Sequence, residues 1–400
     1  MMIGRNIPPG LGASELFQLL RDGVPRTRSQ LAASTGVARS TIALRLDELL
    51  SLGMVSPVGE TSSTGGRPSA LVAMNPGARV VIAAQFGATQ GTVALIDVGS
   101  TVISEHKETL DIGVGPVPVL IWFLDVAERL LYEAGRPESD LVAIGIGLPG
   151  PVEHESGRPK NPPIMPGWHN FDVPAFVRSR FEVPVLVDND VNVMALGERA
   201  VAGPEADFMI LVKVSTGIGS GIISEGQLQR GARGTAGDLG HIQLAAHDDA
   251  LCACGNFGCL EAIAGGSAIA TKLRDQGLDT HSVQDIVTAA ISGNMLAIQA
   301  LRQAGRDIGE VLTTCVTLFN PSLISIGGSL ANAGEHLIAG IREVVYARSK
   351  PIATEHLSIN RSKAGEKAGV LGAGIMAIDC ALSPEGINRM SERSGANAAV

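Results

Sequence analysis

The chain is poor in aromatic residues and in long apolar runs. Phenylalanine, tyrosine and tryptophan make up 3% of its 400 residues. No stretch of about 18 uninterrupted apolar residues occurs, so the sequence predicts no membrane span. The opening MMIGRNIPPG lacks the apolar core of a signal peptide. We therefore expect a cytoplasmic protein, and the 49 glycines indicate many tight turns and close backbone approaches.

Cysteine is scarce as well, and its distribution is uneven. Of five cysteines, Cys252, Cys254 and Cys259 fall within the segment CACGNFGCLE. They are too close together for a plausible disulfide framework, and reduced thiols in a cytoplasm fit them best. Three soft ligands in one loop predict a zinc site.

The fourth zinc ligand has to come from outside the cysteine loop. His241 in GTAGDLGHIQL is the expected donor and His247 is the alternative. Three cysteines and one histidine fill a tetrahedral site and leave no open position, so such a zinc would be structural. The opposing interpretation is a set of structural or regulatory thiols without metal.

Positive charge is in deficit, and the formal net charge is −9. Taken alone, this value argues against a nucleic-acid partner. Residues 1–75, however, hold seven arginines and five acids, which gives +2 and leaves −11 for the remainder. The average therefore hides a mildly basic N-terminal module on an acidic body.

The basic module has the pattern of a helix-turn-helix. Apolar spacing predicts helices over 14–21, 28–34 and about 39–52, with Gly36 in the turn between the last two. Two helices joined in this way are typical of DNA-binding domains, in which the second helix enters the major groove. The residues expected to meet base edges and phosphates are Arg39, Ser40, Thr41 and Arg45.

Two short strand-like runs and a polar loop follow, and they predict a wing. The loop tip GGRP presents Arg67 between a glycine and a proline, a slim and extended shape suited to a narrow minor groove. Helix spacing, turn, wing and local charge together favour DNA binding over a bare dimerisation or linker module.

The body alternates strands with glycine-rich turns and helices, as in LVAIGIGLPGPV and FMILVKVSTGIGSGII. Backbone N–H groups at such turns can face a ligand, and four turns together indicate a two-lobed α/β protein that closes on one. Asp190 follows a buried strand, where a carboxylate can take the proton of a sugar hydroxyl that attacks a phosphate. Asn189 can hydrogen-bond the same hydroxyls. On position alone, Asp190 could equally cap the next helix.

These stretches resemble the ROK family (repressors, open reading frames, kinases), and the whole chain resembles its transcriptional-regulator branch. The matching segments are GIGLPGPV, VPVLVDNDVNVMALGE, STGIGSGII, GTAGDLGH, CACGNFGCLEA and the helix-turn-helix with its GGRPS wing. They extend over nearly the full length, except the first ten residues and the tail from about Ser383. The combination of GH with CxCGxxGCxE is highly specific.

The resemblance implies a winged helix-turn-helix followed by a two-lobed actin-like, ribonuclease-H-like ATPase and sugar-kinase fold. A sugar lies between the lobes, and Asp190 is the catalytic base in the family's kinases. The implied sugar-binding residues are Gly150, Asn189, Asp190, Asp238, His241 and Glu261, and His241 also binds zinc. The expected divisions are a DNA-binding domain 1–75, a first lobe 79–190, a second lobe 191–382 with a returning C-terminal helix, and a flexible tail 383–400.

Three departures from the family pattern concern the nucleotide and the sugar. Family kinases carry an aspartate and a lysine in the first phosphate loop, and here both are glutamine, Gln85 and Gln90. A neutral amide holds magnesium poorly, so ATP and magnesium are not expected as cofactors. Ser215 replaces a usual glycine, and Asp238 replaces a usual glutamate. The remnants of the nucleotide loops are Gly87, Thr89, Thr216, Gly217, Gly327 and Gly328.

The sequence thus predicts a sugar-responsive repressor of carbohydrate metabolism genes. It would bind double-stranded operator DNA as a homodimer or homotetramer, and a sugar effector would close the lobes. The alternative is an active ATP-dependent sugar kinase with an added DNA-binding domain, which the retained Asp190 keeps open. A sugar-binding scaffold without DNA activity is a third interpretation.

Overall fold

The computed structural model describes residues 12–60, 69–245 and 249–397. Its N-terminal module is a three-helix domain with a small antiparallel sheet, ordered β1-β3-β2. The predicted helix-turn-helix is present, and Gly36 turns the chain between the last two helices at φ 71°. The elements are α1 (Ala13–Gln18), β1 (Arg26–Thr27), α2 (Arg28–Thr35), α3 (Arg39–Ser51), β2 (Val55–Glu60) and β3 (Ala70–Met74).

Local sequence explains how these helices begin and pack. Thr27 accepts a hydrogen bond from the backbone N–H of Gln30, whose side chain accepts one from the Thr27 N–H in return, a capping box that starts α2. On α3, Ile42, Leu46 and Leu49 are fully buried, as their helical spacing predicts. The wing tip with Arg67 lies outside the described residues.

The first lobe is built on a five-stranded mixed sheet. Its order is β10-β7-β4-β5-β6, with β4, β7 and β10 parallel and β4, β5 and β6 antiparallel. Helix α4 covers one face with an apolar stripe. The elements are β4 (Val80–Phe86), β5 (Gln90–Asp97), β6 (Val102–Thr109), α4 (Pro116–Glu133), β7 (Leu141–Leu148), β8 (Val152–Glu153), β9 (Arg158–Pro159), α5 (Val173–Arg178) and β10 (Val185–Asn189).

The second lobe repeats this arrangement. Its five-stranded sheet has the order β13-β12-β11-β14-β15, again with three antiparallel strands followed by two parallel ones. The elements are α6 (Asp190–Ala202), β11 (Met209–Val214), β12 (Ile218–Ser224), β13 (Gln227–Gln229), α7 (Leu260–Ala264), α8 (Gly266–Asp275), α9 (Val283–Ile291), α10 (Met295–Phe319), β14 (Leu323–Gly327), α11 (His336–Arg348), α12 (Pro351–Thr354), β15 (Ser358–Arg361), α13 (Ala368–Ala381) and α14 (Pro384–Asn397).

The repeated topology identifies the fold. In each lobe the first strand along the chain lies centrally, with an antiparallel meander on one side and two parallel strands on the other. Two such lobes around a cleft form the actin-like, ribonuclease-H-like architecture, so the predicted fold class is confirmed.

Helices α6 and α13 pack against each other with their backbones almost in contact. A Cβ atom on Gly372 would lie 1.6 Å from the carbonyl oxygen of Val193, and one on Gly197 would lie 1.9 Å from that of Ala368. Only glycine permits this approach, because any side chain at either position would overlap the facing backbone. The pair joins the lobes, since α6 packs on strands of the second sheet and α13 packs on β4 and β7 of the first.

Residues 384–397 form a helix, so the expectation of a flexible tail from Ser383 does not hold for this described part of it. Ser383 accepts a hydrogen bond from the N–H of Gly386 at the start of α14. The segment is mostly polar, but Ile387 and Met390 are three residues apart and form an apolar face. Ile387 is buried in the core that α14 shares with the N-terminal module, so packing orders this end of the chain.

Direct hydrogen bonds also join the N-terminal module to the C-terminal helices. The side chain of Gln18 donates to the carbonyl of Leu382 at 2.8 Å, and Arg21 pairs with Asp379 at 2.6 Å. The module therefore sits on α13 and α14 rather than on a free linker.

Within the described residues, no single helix is both long and apolar enough to cross a bilayer. A bent pair, 365–381 with 384–393 at an angle of 68°, passes by length and composition. Its first helix is the α13 that packs between α6 and the first sheet.

We expect Gly372→Ala to destabilise the protein. Alanine normally favours a helix over glycine by about 1 kcal/mol, but here its Cβ meets the Val193 carbonyl, and overpacking costs about 1–3 kcal/mol. Urea unfolding should show a net loss of stability. Gly77→Ala is the matched control, because the nearest atom to its new Cβ is 3.9 Å away. Equal stability of the two variants would contradict the proposed helix contact.

Candidate ligand cleft and metal centre

A cavity of about 1490 Å³ lies between the two lobes. The structure brings all the sequence-predicted sugar, nucleotide-loop and metal positions except Cys259 to its walls. These are Gln85, Gly87, Thr89, Gln90, Gly150, Asn189, Asp190, Thr216, Gly217, Asp238, His241, Cys252, Cys254, Glu261, Gly327 and Gly328.

The start of α6 forms the floor of the cleft. Asn189, not Asp190, caps this helix: its side-chain oxygen accepts from the N–H of Val191 at 3.0 Å. Its amide nitrogen donates to the carbonyl of Gly150 at 2.7 Å, which ties the cap to the turn after β7. Gly150 has φ 114°, a backbone conformation that other residues rarely adopt. The carboxylate of Asp190 therefore does not cap the helix and is available for another contact.

Asp190 instead forms an ion pair with Lys213, a residue that sequence reasoning missed. Asp190 is 4% exposed, and the ammonium of Lys213 donates to its Oδ2. Lys213 lies on β11, two residues before the STGIG loop. A lysine in the otherwise apolar strand MILVKV is the signal that could have indicated it. The pair leaves Asp190 Oδ1 to accept from a ligand, and further protons on Nζ to donate to one.

Beneath this pair lies a buried polar cluster around Asp188, which sequence reasoning also missed. Asp188 is fully buried, and its Oδ1 accepts from the side chain of Asn192 at 2.8 Å. Its Oδ2 accepts from Arg230 Nε at 2.6 Å, so a second-lobe arginine anchors to a first-lobe carboxylate. His154 lies 3.4 Å from the same oxygen. Burial, together with Arg230, holds the pKa of His154 below its usual value.

The loop that begins with Arg230 carries two of the implied sugar ligands. It contacts the first lobe, because a Cβ on Gly234 would lie 2.5 Å from the Val152 carbonyl oxygen. Farther along this loop, His241 Nε2 lies 3.9 Å from Asp238 Oδ1. The Arg230–Asp188 pair therefore fixes the start of the loop that places Asp238 and His241 in the cleft.

Side chains at and beside the phosphate-loop positions make contacts within the protein. The Gln85 amide packs against the backbone of Gly369 at the start of α13, where an added Cβ would lie 1.7 Å from Oε1. Ser215 and Ser329 share a hydrogen bond of 3.0 Å between their hydroxyls. Glu261 accepts from the N–H of Ile218 at 2.9 Å, so its carboxylate lies on the second phosphate loop.

Three thiols and one imidazole converge beside the cleft. The ligand atoms of His241, Cys252, Cys254 and Cys259 all lie within 4.8 Å of one another. His241 Nδ1 is 3.6 Å from Cys252 Sγ, and Cys254 Sγ is 3.7 Å from Cys259 Sγ. These distances suit four donors around one ion, so the cluster can hold a metal. The Nδ1 atom of His241 thus lies beside the thiols, whereas its Nε2 atom lies on the side of Asp238. The alternative donor, His247, lies outside the described residues.

The environment of the thiols differs among the three cysteines. Burial raises the pKa of the Cys252 thiol and raises that of Cys259 to about 12, whereas a backbone hydrogen bond with Asn256 lowers the pKa of Cys254. Metal binding to this set has to displace protons from the two buried thiols, because thiolates are the ligands.

The repeated lobes, the cleft between them and the loops at the strand ends define a protein of the actin-like fold class. Comparison with known families is more specific: the family model described as "ROK family" matches residues 81–380. The chain belongs to the ROK family.

Relatives along the whole chain are named as regulators. The chain is 31% identical to the xylose repressor of Caldicellulosiruptor bescii, over 89% of this chain and 92% of that protein. It is 29% identical to the DNA-binding transcriptional dual regulator NagC of Escherichia coli, over 90% of each.

The matching solved structures include both a regulator and a kinase. A ROK family transcriptional regulator, a homologue of the Escherichia coli MLC protein, matches with a TM-score of 0.80 and 26% identity, over 95% of this chain and 98% of that one. The ROK hexokinase from Thermus thermophilus matches with a TM-score of 0.62 and 29% identity, over 74% of this chain and 97% of that one. The regulator match thus covers more of this chain than the kinase match.

Arg230→Met tests the anchor beneath the cleft. It leaves the fully buried Asp188 without its cation, and breaking a buried pair costs about 3 kcal/mol or more. Urea unfolding should detect this loss. The matched control is Arg158→Met, whose partner Asp172 is about one third exposed, and an exposed pair contributes less than about 1 kcal/mol. Similar losses of unfolding free energy in both variants would contradict the proposed role of the Asp188 cluster as a buried anchor.

Proposed function

We propose that this protein is a sugar-responsive DNA-binding transcriptional regulator of carbohydrate metabolism genes. One observation carries the proposal: the DNA-binding module is packed onto α13 and α14, and α13 packs on the helix that begins at Asp190. A change at the cleft floor therefore has a continuous packed route to the module. A sugar that favours one lobe arrangement would shift the module's position in a homodimer or homotetramer.

The comparisons support a regulator more than an enzyme. The relatives named as a repressor and a transcriptional dual regulator match about nine tenths of the chain, a share too large to leave out the whole of residues 1–75. A glucokinase of Halalkalibacterium halodurans matches 74% of the chain. Two relatives are named after sugars, the xylose repressor and, in Escherichia coli O6:H1, an N-acetylglucosamine repressor. We therefore infer a sugar as the effector class here.

Two features of the cleft disfavour the alternative, an ATP-dependent sugar kinase. Gln85 supplies no carboxylate for magnesium and is packed against Gly369. Asp190, the base in family kinases, is engaged by Lys213. If the ammonium of Lys213 donated a hydrogen bond to the attacking sugar hydroxyl, it would occupy a lone pair of that oxygen. The hydroxyl would then be a weaker nucleophile.

For the sugar, we infer contacts from Asp190, Asp238, His241 Nε2 and Glu261. Carboxylates accept from hydroxyls, and Lys213 adds a donor that the sequence did not indicate. Asn189 already donates one N–H to Gly150, which leaves one amide proton for a ligand. Gly150 contributes through the backbone of its turn, which the hydrogen bond from Asn189 holds in place.

For DNA, we infer that α3 enters the major groove. Arg39 and Ser40 are exposed at its start, and Thr41 is half-buried one residue later. Arg45 lies 3.6 Å from Glu48, so a phosphate would compete with this carboxylate for it. Entry of Arg67 into the minor groove stays a prediction.

For the metal, we infer one structural zinc held by His241, Cys252, Cys254 and Cys259. Soft thiolates with one imidazole are a donor set that zinc prefers, and four protein ligands leave no position for a substrate. Bound there, zinc would hold the loop that carries His241 and would fix which of its nitrogens faces the cleft.

Elemental analysis should therefore find one zinc per chain. Cys252→Ser should lose the metal, because three ligands remain, and it should lose the sugar response together with it. Cys315→Ser is the matched control and should keep both, since Cys315 lies on α10 outside the cluster. Full zinc occupancy in Cys252→Ser would contradict the ligand set.

The function itself is tested in two steps with the full-length protein. Duplexes are first selected from a random library, and deletion of residues 1–75 should abolish their binding. D-xylose, D-glucose, N-acetyl-D-glucosamine and their terminal phosphates are then screened by thermal shift, since a ligand of the native state raises the melting temperature. A stabilising sugar should change DNA affinity, and Asp190→Ala should remove both effects while zinc stays bound.

Two results would count against this function. Specific DNA binding that survives deletion of residues 1–75 would exclude the module as the reader. Robust ATP-dependent phosphorylation of one of these sugars, abolished by Asp190→Asn, would favour the kinase instead.

A further inference from the structure

The exposed face of α3 carries an apolar side chain. Leu44 is 62% exposed, whereas Leu46 and Leu49 of the same helix are fully buried. Leu44 lies four residues after Ser40 and three before Asp47, and both neighbours are exposed too. Helical spacing therefore places the three in one row on the surface. The sequence had indicated only polar residues for this face.

The row lies opposite the contacts that hold α3 in the protein. Leu46 and Leu49 face the core that the module shares with α14. The contacts to α1 and α14 therefore leave the row with Leu44 facing outward, the side that a helix-turn-helix presents to the major groove.

The charges around Leu44 permit approach to DNA. Arg28 pairs with Asp47 at 3.1 Å. Glu48, four residues after Leu44, lies 3.6 Å from Arg45 and accepts from Ser391 of α14 at 3.2 Å, so both acids beside Leu44 have partners. Arg39 lies exposed at the start of the helix, where it can reach a phosphate. A lone leucine among polar and paired side chains offers too little apolar area for a protein interface, but one methyl group fits it.

We propose that Leu44 reads a thymine in the operator by contact with its C5-methyl group. Thymine is the only standard base that presents a methyl group in the major groove, and leucine has no donor or acceptor with which to read another edge. Leu44 is thus a specificity-determining residue of the DNA interface. The inference rests on the proposed function, because it requires α3 to enter the groove.

Uracil scanning tests this contact. Starting from a duplex selected by the wild-type protein, each thymine is replaced in turn by uracil, which removes the methyl group and keeps the hydrogen-bonding edge. At one thymine per half-site, wild-type affinity should fall about fourfold, the ratio that corresponds to about 0.8 kcal/mol for one buried carbon. Leu44→Ala should bind the thymine and uracil duplexes equally well, and so should Leu44→Gln.

Val24→Ala is the matched control. Val24 is another exposed apolar residue of the module, but it lies in the turn before β1, so this variant should keep the wild-type uracil sensitivity. Thermal unfolding checks that the Leu44 variants remain folded. The inference is overturned if no uracil weakens the wild type, or if Leu44→Ala keeps the same sensitivity. Failure of the wild type to enrich any duplex would instead refute the proposed function.

Discussion

The close contact of α6 and α13 is the constraint on which the other features depend. Gly197 and Gly372 let the two backbones approach, and this approach brings the lobes together around a single cleft. At one end of α6 stands Asp190, paired with Lys213. Beyond the other end of α13 lie α14 and the N-terminal module. Because packed helices have few alternative arrangements, a small change at the cleft would be transmitted as a shift of whole elements.

The features that could be predicted from sequence are those that depend on the spacing of residues close together in the chain. Gly36 and the apolar face of α3 indicate a helix-turn-helix by spacing alone, and the three cysteines with His241 indicate a cluster that can hold a metal. By contrast, the pairs Asp190–Lys213 and Asp188–Arg230 join residues 23 and 42 positions apart. No local spacing encodes such pairs, because strand order in the two sheets decides which side chains meet.

The C-terminal helix illustrates a different limit. Its composition is that of a solvated tail, and two apolar residues, Ile387 and Met390, are too few to form a stable helix alone. The surface that orders it is supplied by α1 and α3, more than 300 residues earlier. Local propensity is a weak guide where the partner is distant in sequence, and the helix forms because that partner has an apolar face to cover.

The Gln18–Leu382 contact joins the two ends of the described chain, and this has a consequence for biosynthesis. A ribosome adding roughly 5–20 residues per second takes about 20–70 seconds between these two positions. During that interval the N-terminal helices have emerged, while the surface on which they rest does not yet exist. A nascent chain therefore carries its N-terminal module unanchored until α13 and α14 have been synthesised and can hold it in a defined orientation.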